Sequence, residues 1–272
     1  MAHPYSFQPI VADVHKNMHM ATAVRNSPIR RPGFMATALA ALLAMGFAAR
    51  ATPVIGSLEA HATGVFINAA GDVLTAHHAV ADCGTIFVVK DGRVVRATQG
   101  PSDAGLDLAV LKTTLKPYLA ATFVAGPEIK AGRQAVFAEG YNVLQRMPDR
   151  ARTLFNAFAE PGNPVSEDLS LISSVRPGAS GSPVLGAAGL MLGVVVERFS
   201  LDGRPSGRVA LSAAQASGAT GATRVKAVSA THVKSFLRRE GVAFTESDQP
   251  QLGPMQAQAP RAATLSVGVI CG

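Results

Sequence analysis

The 272-residue sequence contains no tryptophan, three tyrosines and two cysteines, and only 16% of its residues are charged. Hydrophobic residues make up 48%, a balance that excludes an intrinsically disordered chain and predicts an apolar globular protein. The sequence shows no internal repeat, no cysteine and histidine cluster at zinc spacing and no glycine-rich phosphate loop. We therefore expect no metal site and no cofactor.

The positive charge is concentrated at the N-terminus. The formal net charge is +7, but five of the 25 lysines and arginines, and only one of the 18 acids, precede Thr52. The remaining basic residues are scattered along the chain and do not form a stripe. We therefore expect no nucleic-acid partner.

The first 51 residues have the features of a signal peptide. A basic stretch (25–31) precedes an apolar segment (34–49), and Ala49-Arg50-Ala51 has the small-x-small pattern of a signal-peptidase site. The apolar segment is short for a transmembrane helix, so we expect cleavage after Ala51 and a periplasmic or secreted protein. An uncleaved membrane anchor is the alternative. The long stretch before Met20 suggests a mis-called start.

A candidate nucleophile lies in the glycine-rich stretch from Arg176 to Val184. Ser180 is placed in a tight turn that is followed by an apolar strand. Such a turn exposes a hydroxyl and directs backbone N–H groups at the space where an oxyanion forms. Ordinary turn chemistry would explain the stretch equally well, so the assignment depends on finding a base and an orienting acid.

Two upstream stretches supply these residue types. The segment 64–80 reads as a strand, a hairpin turn and a second strand that ends in the histidine pair His77-His78. Asp107 begins an otherwise apolar strand. A buried carboxylate is costly without a partner, and a histidine N–H is the partner that this pattern indicates.

Taken in chain order, the three stretches resemble the trypsin-like (chymotrypsin-fold) serine peptidases, and more closely their bacterial HtrA/Deg branch. The resemblance covers about residues 55–242. It rests on Thr75-Ala76-His77-His78-Ala79-Val80, Asp107-Leu108-Ala109-Val110-Leu111 and Gly178-Ala179-Ser180-Gly181-Ser182-Pro183.

The resemblance implies a catalytic triad of His78, Asp107 and Ser180, with an oxyanion hole formed by the backbone N–H groups of Gly178 and Ser180. His77 and His61 are the alternatives for the base. Three residues depart from the family pattern: Ala179 replaces the usual Asn or Asp, Ser182 replaces the usual Gly, and Ala79 follows the base. None of these changes removes a catalytic group.

The resemblance also implies a primary specificity pocket. Its floor, six residues before the nucleophile, is Ser174, and its walls include Val194. A lysine or arginine bound over a small neutral floor would be a buried charge without a partner. We therefore expect cleavage after small or medium apolar residues.

Short apolar strands separated by Gly, Asp, Asn and Pro predict an all-β fold. We expect two packed antiparallel six-stranded β-barrels, at about 52–115 and 130–228, and a C-terminal α-helix at 229–241. These elements together form a peptidase domain at 52–242. Asp91-Gly92 predicts a hairpin turn, and Ser229 or Thr231 is expected to cap the helix.

After the helix, residues 243–272 are predicted to be a flexible tail with a terminal strand. The tail is too short for a PDZ module, so we do not expect one. Cys83 and Cys271 are expected to form one disulfide in an oxidising compartment, although two unrelated thiols are the alternative.

Together these features predict an exported serine endopeptidase that hydrolyses polypeptide substrates through an acyl-enzyme intermediate. A non-catalytic peptidase-fold binding protein of the periplasm is the alternative. The oligomeric state is left open.

Overall fold

The computed structural model describes residues 59–126, 132–161, 168–199 and 223–272. The predicted signal segment lies outside these residues. Within them, no helix is long and apolar enough to cross a membrane. The strands are β1 (Ala62–Phe66), β2 (Val73–Ala76), β3 (Ile86–Lys90), β4 (Arg93–Asp103), β5 (Leu108–Lys112), β6 (Thr122–Val124), β7 (Gln134–Val136), β8 (Ala157–Pro161), β9 (Leu169–Ser173), β10 (Pro183–Leu185), β11 (Met191–Phe199), β12 (Thr223–Ser229), β13 (Thr245–Ser247) and β14 (Ser266–Cys271). The helices are α1 (Tyr141–Arg146), α2 (Ala230–Arg239) and α3 (Gln258–Leu265), with 3₁₀ turns at His77–Ala79 and Arg150–Arg152.

Six antiparallel strands form a closed barrel in the order β1-β14-β3-β4-β5-β2. The expected barrel at 52–115 is therefore correct in strand number but wrong in its chain limits. Its sixth strand is β14, which lies between β1 and β3. Residues 52–58 of the expected barrel lie outside the described residues.

The second sheet is a curled half-barrel and not the expected closed antiparallel barrel. Its order is β13-β6-β11-β12-β9-β8-β7, with β10 paired to β11. An isolated bridge pairs Phe137, which directly follows β7, with Leu185 of β10. The strands β6 and β13 are added at the other edge in parallel orientation, so they extend the sheet and do not close it.

Most of the core lies in two clusters, one within and beside the closed barrel and one inside the half-barrel, and a small third cluster contains Tyr141. Strand β11 contributes to both, since Val194 faces the first and Val195 the second. A strand buried on both faces has a continuous apolar sequence. This double burial explains the uninterrupted run from Leu190 to Val196.

Two local predictions are confirmed. The β3–β4 connection is a hairpin in which both Asp91 and Gly92 have positive φ, 49° and 77°, as a two-residue turn requires. Helix α2 begins after Ser229, whose hydroxyl oxygen accepts the N–H of His232. Val233, Phe236 and Leu237 form its fully buried face.

The prediction of a flexible tail is wrong for most of its length. Strand β13 pairs with β6, and α3 is held by its own side chains, since Arg261 Nε donates to Gly189 O at 2.8 Å and Gln258 Nε2 to Ala187 O at 3.0 Å. Alanines on α3 pack into the core. The expected terminal strand is present as β14.

Helix α1 is a further element outside the predicted set, and its sequence is largely polar. Two residues of this helix, Tyr141 and Leu144, are nevertheless buried. These two side chains, one turn apart, pack the helix against the core, and Asn142 Nδ2 also bonds it to Ala60 O at 2.6 Å.

Candidate active site

The candidate base lies on a 3₁₀ turn that directly follows β2. The N–H of His77 donates to the backbone oxygen of Asp107 at 3.0 Å, and the N–H of His78 donates to Asp107 Oδ1 at 2.8 Å. The backbone and one carboxylate oxygen of Asp107 thus fix the histidine turn, which leaves the second carboxylate oxygen for the imidazole.

The three predicted catalytic residues are brought together in one hydrogen-bonded chain. His78 Nδ1 lies 2.6 Å from Asp107 Oδ2, and His78 Nε2 lies 3.2 Å from Ser180 Oγ. Because an ionised carboxylate only accepts hydrogen bonds, Nδ1 carries the proton and Nε2 is free to accept one from the serine. This is the geometry of a nucleophile, a base and an orienting group.

Asp107 has an unusual backbone conformation, with φ of 57°. Aspartate tolerates this left-handed region better than most residues. The preceding turn is fixed by Asp103, whose Oδ1 accepts the N–H groups of Gly105 and Leu106, each at 3.0 Å. The bond from Leu106, with help from Arg239, holds the pKa of the Asp103 carboxyl below its usual value.

The turn that carries Ser180 is held by its own hydrogen bonds. Both the N–H and the hydroxyl of Ser182 donate to Ala179 O, at 2.8 and 2.6 Å. Gly181 has φ of 88°, and a side chain there would clash with the backbone oxygen of Thr63. Only glycine meets both demands.

Thr63, which the sequence analysis missed, anchors this turn to the closed barrel. Its N–H donates to Ser180 O at 2.9 Å, and its hydroxyl donates to Gly178 O at 2.6 Å while accepting the N–H of Tyr141 at 2.8 Å. Thr63 is fully buried. No signal in the sequence identifies it, because its partners lie 78 to 117 residues away in the chain.

The two predicted oxyanion-hole donors have no hydrogen-bond acceptor within the described part of the chain. Gly178 has φ of 90°, and its N–H and that of Ser180 belong to the same turn. The carbonyl groups of this turn are bonded to Thr63 and Ser182 instead. The N–H groups of Gly178 and Ser180 are thus not bonded to another group of the described residues.

Neither alternative histidine is part of the hydrogen-bonded chain. The His77 ring makes no hydrogen bond with the described residues. His61 Nδ1 accepts the N–H of Cys271 at 3.1 Å, so Nε2 carries the proton and donates to Ala79 O at 2.9 Å. His61 therefore supports the segment that follows His78.

The predicted disulfide between Cys83 and Cys271 is present, with the two Cα atoms 5.2 Å apart. It connects the end of β14 to the segment that follows the histidine turn. Together with His61, it fastens the last strand of the chain to this side of the site.

The structure separates the two residues predicted for the specificity pocket. Ser174 is exposed, beside the nucleophile turn. Val194 is fully buried, and its side chain packs in the main core cluster, so the structure does not place it on an accessible pocket wall.

Residues 62–194 match the family model of the trypsin-like peptidase domain. This part of the chain is a trypsin-like peptidase domain. The matched range contains all three residues of the hydrogen-bonded chain, and the closed barrel and half-barrel of the trypsin-like peptidase domain supply them from separate sheets.

The chain is similar to a curated protein of Sinorhizobium fredii, "Uncharacterized protein y4bJ", at 27% identity over 225 residues. These residues are 81% of this chain and 34% of that protein, so the chain spans about a third of the length of this relative.

Similar solved structures include the HtrA-type protease AlgW with a decapeptide, at 23% identity and a TM-score of 0.46, covering 66% of this chain and 52% of that one. The Rv3671c protease from M. tuberculosis, in its active form, is 19% identical, with a TM-score of 0.45 and coverage of 71% and 78%. The chain thus spans about half the length of the AlgW chain.

Proposed function

We propose that this protein is an exported serine endopeptidase that cleaves polypeptides through an acyl-enzyme intermediate. The observation that carries the proposal is the 3.2 Å hydrogen bond between His78 Nε2 and Ser180 Oγ, with Asp107 bound to the other ring nitrogen.

The reaction follows from this arrangement. Ser180 Oγ attacks the peptide carbonyl carbon while its proton passes to His78 Nε2, and the carboxylate of Asp107 stabilises the imidazolium. The carbonyl oxygen becomes an oxyanion next to the N–H groups of Gly178 and Ser180. His78 then protonates the leaving amine, and water releases the acyl group by the reverse sequence.

The magnitude of each contribution can be anticipated. Loss of one oxyanion donor typically lowers kcat by about 10² to 10³-fold. Loss of the base or the nucleophile leaves only the binding and oxyanion contributions. The two classes of variant are therefore separable by rate.

The test is labelling by a fluorophosphonate probe and turnover of a denatured protein substrate. We expect the wild type to be labelled at Ser180, and Ser180→Ala and His78→Ala to lose both labelling and turnover. His77→Ala is the matched control, since it removes a neighbouring imidazole outside the triad, and it should remain active. Binding of peptide without turnover by the wild type would instead establish the non-catalytic alternative.

Specificity follows from Ser174, which we propose as the floor of the primary pocket. A small neutral floor favours small or medium apolar residues before the cleaved bond, because a lysine or arginine there would lose its hydration without gaining a carboxylate. Profiling of a peptide library tests this, and a dominant preference for arginine or lysine would contradict it.

Export is proposed from residues 1–51 and is supported by the Cys83–Cys271 disulfide, since disulfides persist in oxidising compartments. The mature N-terminus, determined by sequencing of protein from the periplasm or medium, should lie near Thr52. Recovery of membrane-bound protein that begins at Met1 or Met20 would favour an uncleaved anchor.

A further inference from the structure

Glu139 is a buried carboxylate that the proposed mechanism does not use. It belongs to the segment that connects β7 to α1, and the residue is only 7% exposed. Burial of an ionised carboxylate is costly unless hydrogen bonds compensate for the lost water. The N–H groups that surround the Glu139 carboxylate therefore indicate its role.

Three donors reach this carboxylate. The N–H of Gly140 donates to Oε1 at 3.0 Å, and the backbone N–H of Arg176 and the side-chain amide of Asn156 lie next to the carboxylate and stabilise its charged form. Asn156 cannot reverse its amide, because its Oδ1 accepts the N–H of Ala138 at 2.9 Å and its Nδ2 donates to Ala138 O at 2.8 Å.

The donor from Arg176 is the important one, because Arg176 begins the turn that carries the oxyanion donors. The segment that contains Glu139 and Gly140 also packs directly on that turn. A Cβ added to Gly140 would lie 3.1 Å from Gly178 O and 3.3 Å from the Cα of Ala179. Ala179 itself has no polar side chain that could hold the turn.

We propose that Glu139 is a positioning residue, which holds the start of the nucleophile turn through the Arg176 N–H and so orients the oxyanion donors of Gly178 and Ser180. This inference rests on the proposed peptidase function. Thr63 holds the same turn from the closed barrel, and Glu139 holds it from the half-barrel.

The chemistry requires a carboxylate at this position. An ionised carboxylate accepts all three hydrogen bonds, whereas a glutamine would direct its own amide N–H at one of the donors. Burial raises the pKa of the Glu139 carboxyl above its ordinary value, although the Gly140 and Arg176 N–H groups and the charge of Arg176 oppose this shift. Arg176 is the one charged side chain that acts on Glu139 within the described residues.

The direction of this pKa shift argues against a purely stabilising role. The folded protein holds the Glu139 proton to higher pH than the unfolded chain does, so stability decreases as pH rises through the folded pKa. The ionised form of Glu139 therefore contributes less to the stability of the fold than its protonated form does.

The experiment compares Glu139→Gln and Glu139→Asp with the wild type. Glu160→Gln is the matched control, since Glu160 lies on β8 of the same sheet and pairs with Arg133 at the surface. Turnover of a quenched peptide gives kcat and KM, fluorophosphonate labelling gives the reactivity of Ser180, and circular dichroism gives the folded fraction.

For Glu139→Gln we expect kcat to fall by about tenfold to a hundredfold with KM changed by less than about threefold, because the lost interaction acts on the transition state. Labelling should slow in parallel. Glu139→Asp, which keeps the charge, should be more active than Glu139→Gln. Glu160→Gln should match the wild type.

The pH profile gives a second readout. Activity of the wild type requires both His78 and Glu139 to be deprotonated, whereas Glu139→Gln requires this only of His78. As pH decreases, kcat/KM should therefore fall more steeply in the wild type than in Glu139→Gln.

An active wild type with Glu139→Gln unchanged in kcat, or a loss that disappears on correction for the folded fraction, would overturn the positioning role alone. A wild type without turnover would overturn the proposed function and this inference together. If Glu139→Gln does not fold, Glu139→Asp decides. Wild-type kcat and a wild-type acid limb in this variant support the requirement for a carboxylate, and a fully folded Glu139→Asp variant without turnover contradicts it.

Discussion

The hydroxyl of Thr63 donates a hydrogen bond to the backbone oxygen of Gly178 at 2.6 Å, across the boundary between the closed barrel and the half-barrel. The histidine and aspartate of the candidate triad belong to the first sheet, and the serine belongs to the second. Thr63 bonds to the serine turn at two carbonyl groups. This junction therefore sets the position of Ser180 relative to His78.

Replacement of this hydroxyl should impair both folding and catalysis. Thr63→Val leaves the buried N–H of Tyr141 and the carbonyl of Gly178 without a partner, so the free energy of unfolding should fall by about 1 to 3 kcal/mol. We also expect kcat to fall by about tenfold, whereas Thr63→Ser should retain both properties.

Urea unfolding and peptide turnover measure these effects. Thr113→Val is the matched control, because Thr113 Oγ1 also donates to a backbone oxygen, that of Gly71 at 2.8 Å, outside the site. Equal kcat for the two valine variants would contradict a special role for Thr63.

Asp107→Asn should remove most of the activity without unfolding the protein. Asparagine tolerates the positive φ of this position, but its amide would face His78 Nδ1 and favour the wrong tautomer, so kcat should fall by about 10⁴-fold. The control is Asp91→Asn, at an exposed residue that also has positive φ. A thermal midpoint like that of the wild type, with this loss of kcat, is the expected result, and an active Asp107→Asn enzyme would exclude Asp107 from the triad.

Removal of the disulfide should destabilise the fold. Cys83 and Cys271 are 188 residues apart in the chain, so the bond strongly restricts the unfolded state, and the Cys83→Ser/Cys271→Ser double variant should lose about 2 to 5 kcal/mol of unfolding free energy. Urea unfolding with and without reductant measures this loss. Two reactive thiols in denatured, unreduced protein would show that the bond is absent in solution.

Asp103 should make stability depend on pH in the acid range. Its folded pKa is lowered, first by the Leu106 N–H bond and further by Arg239, so its contribution is present above the pKa of the unfolded chain and is lost as pH falls through the folded pKa. Asp103→Asn should therefore be less stable than the wild type near pH 7, and the difference should vanish in strong acid. Unfolding curves measured across pH 2 to 7 test this, and a constant difference would contradict it.

The sequence alone determined the features that depend on neighbouring residues. The Asp91-Gly92 hairpin and the start of α2 at Ser229 follow from backbone preferences and capping groups within a few residues. The His78, Asp107 and Ser180 motifs were recognisable because each is a short pattern of fixed order. The Cys83–Cys271 bond was predictable because the chain contains only two cysteines.

The tertiary structure alone decided which distant segments meet. The Ala, Gln and Pro composition of 245–262 suits a tether as well as a short helix, and only burial against the core selects the helix. β14 closes the first barrel although about 200 residues separate it from β1. Thr63 and Glu139 are unremarkable in the sequence, because a hydroxyl or carboxylate gains its role from the donors and acceptors that lie opposite it, and these are set by long-range packing.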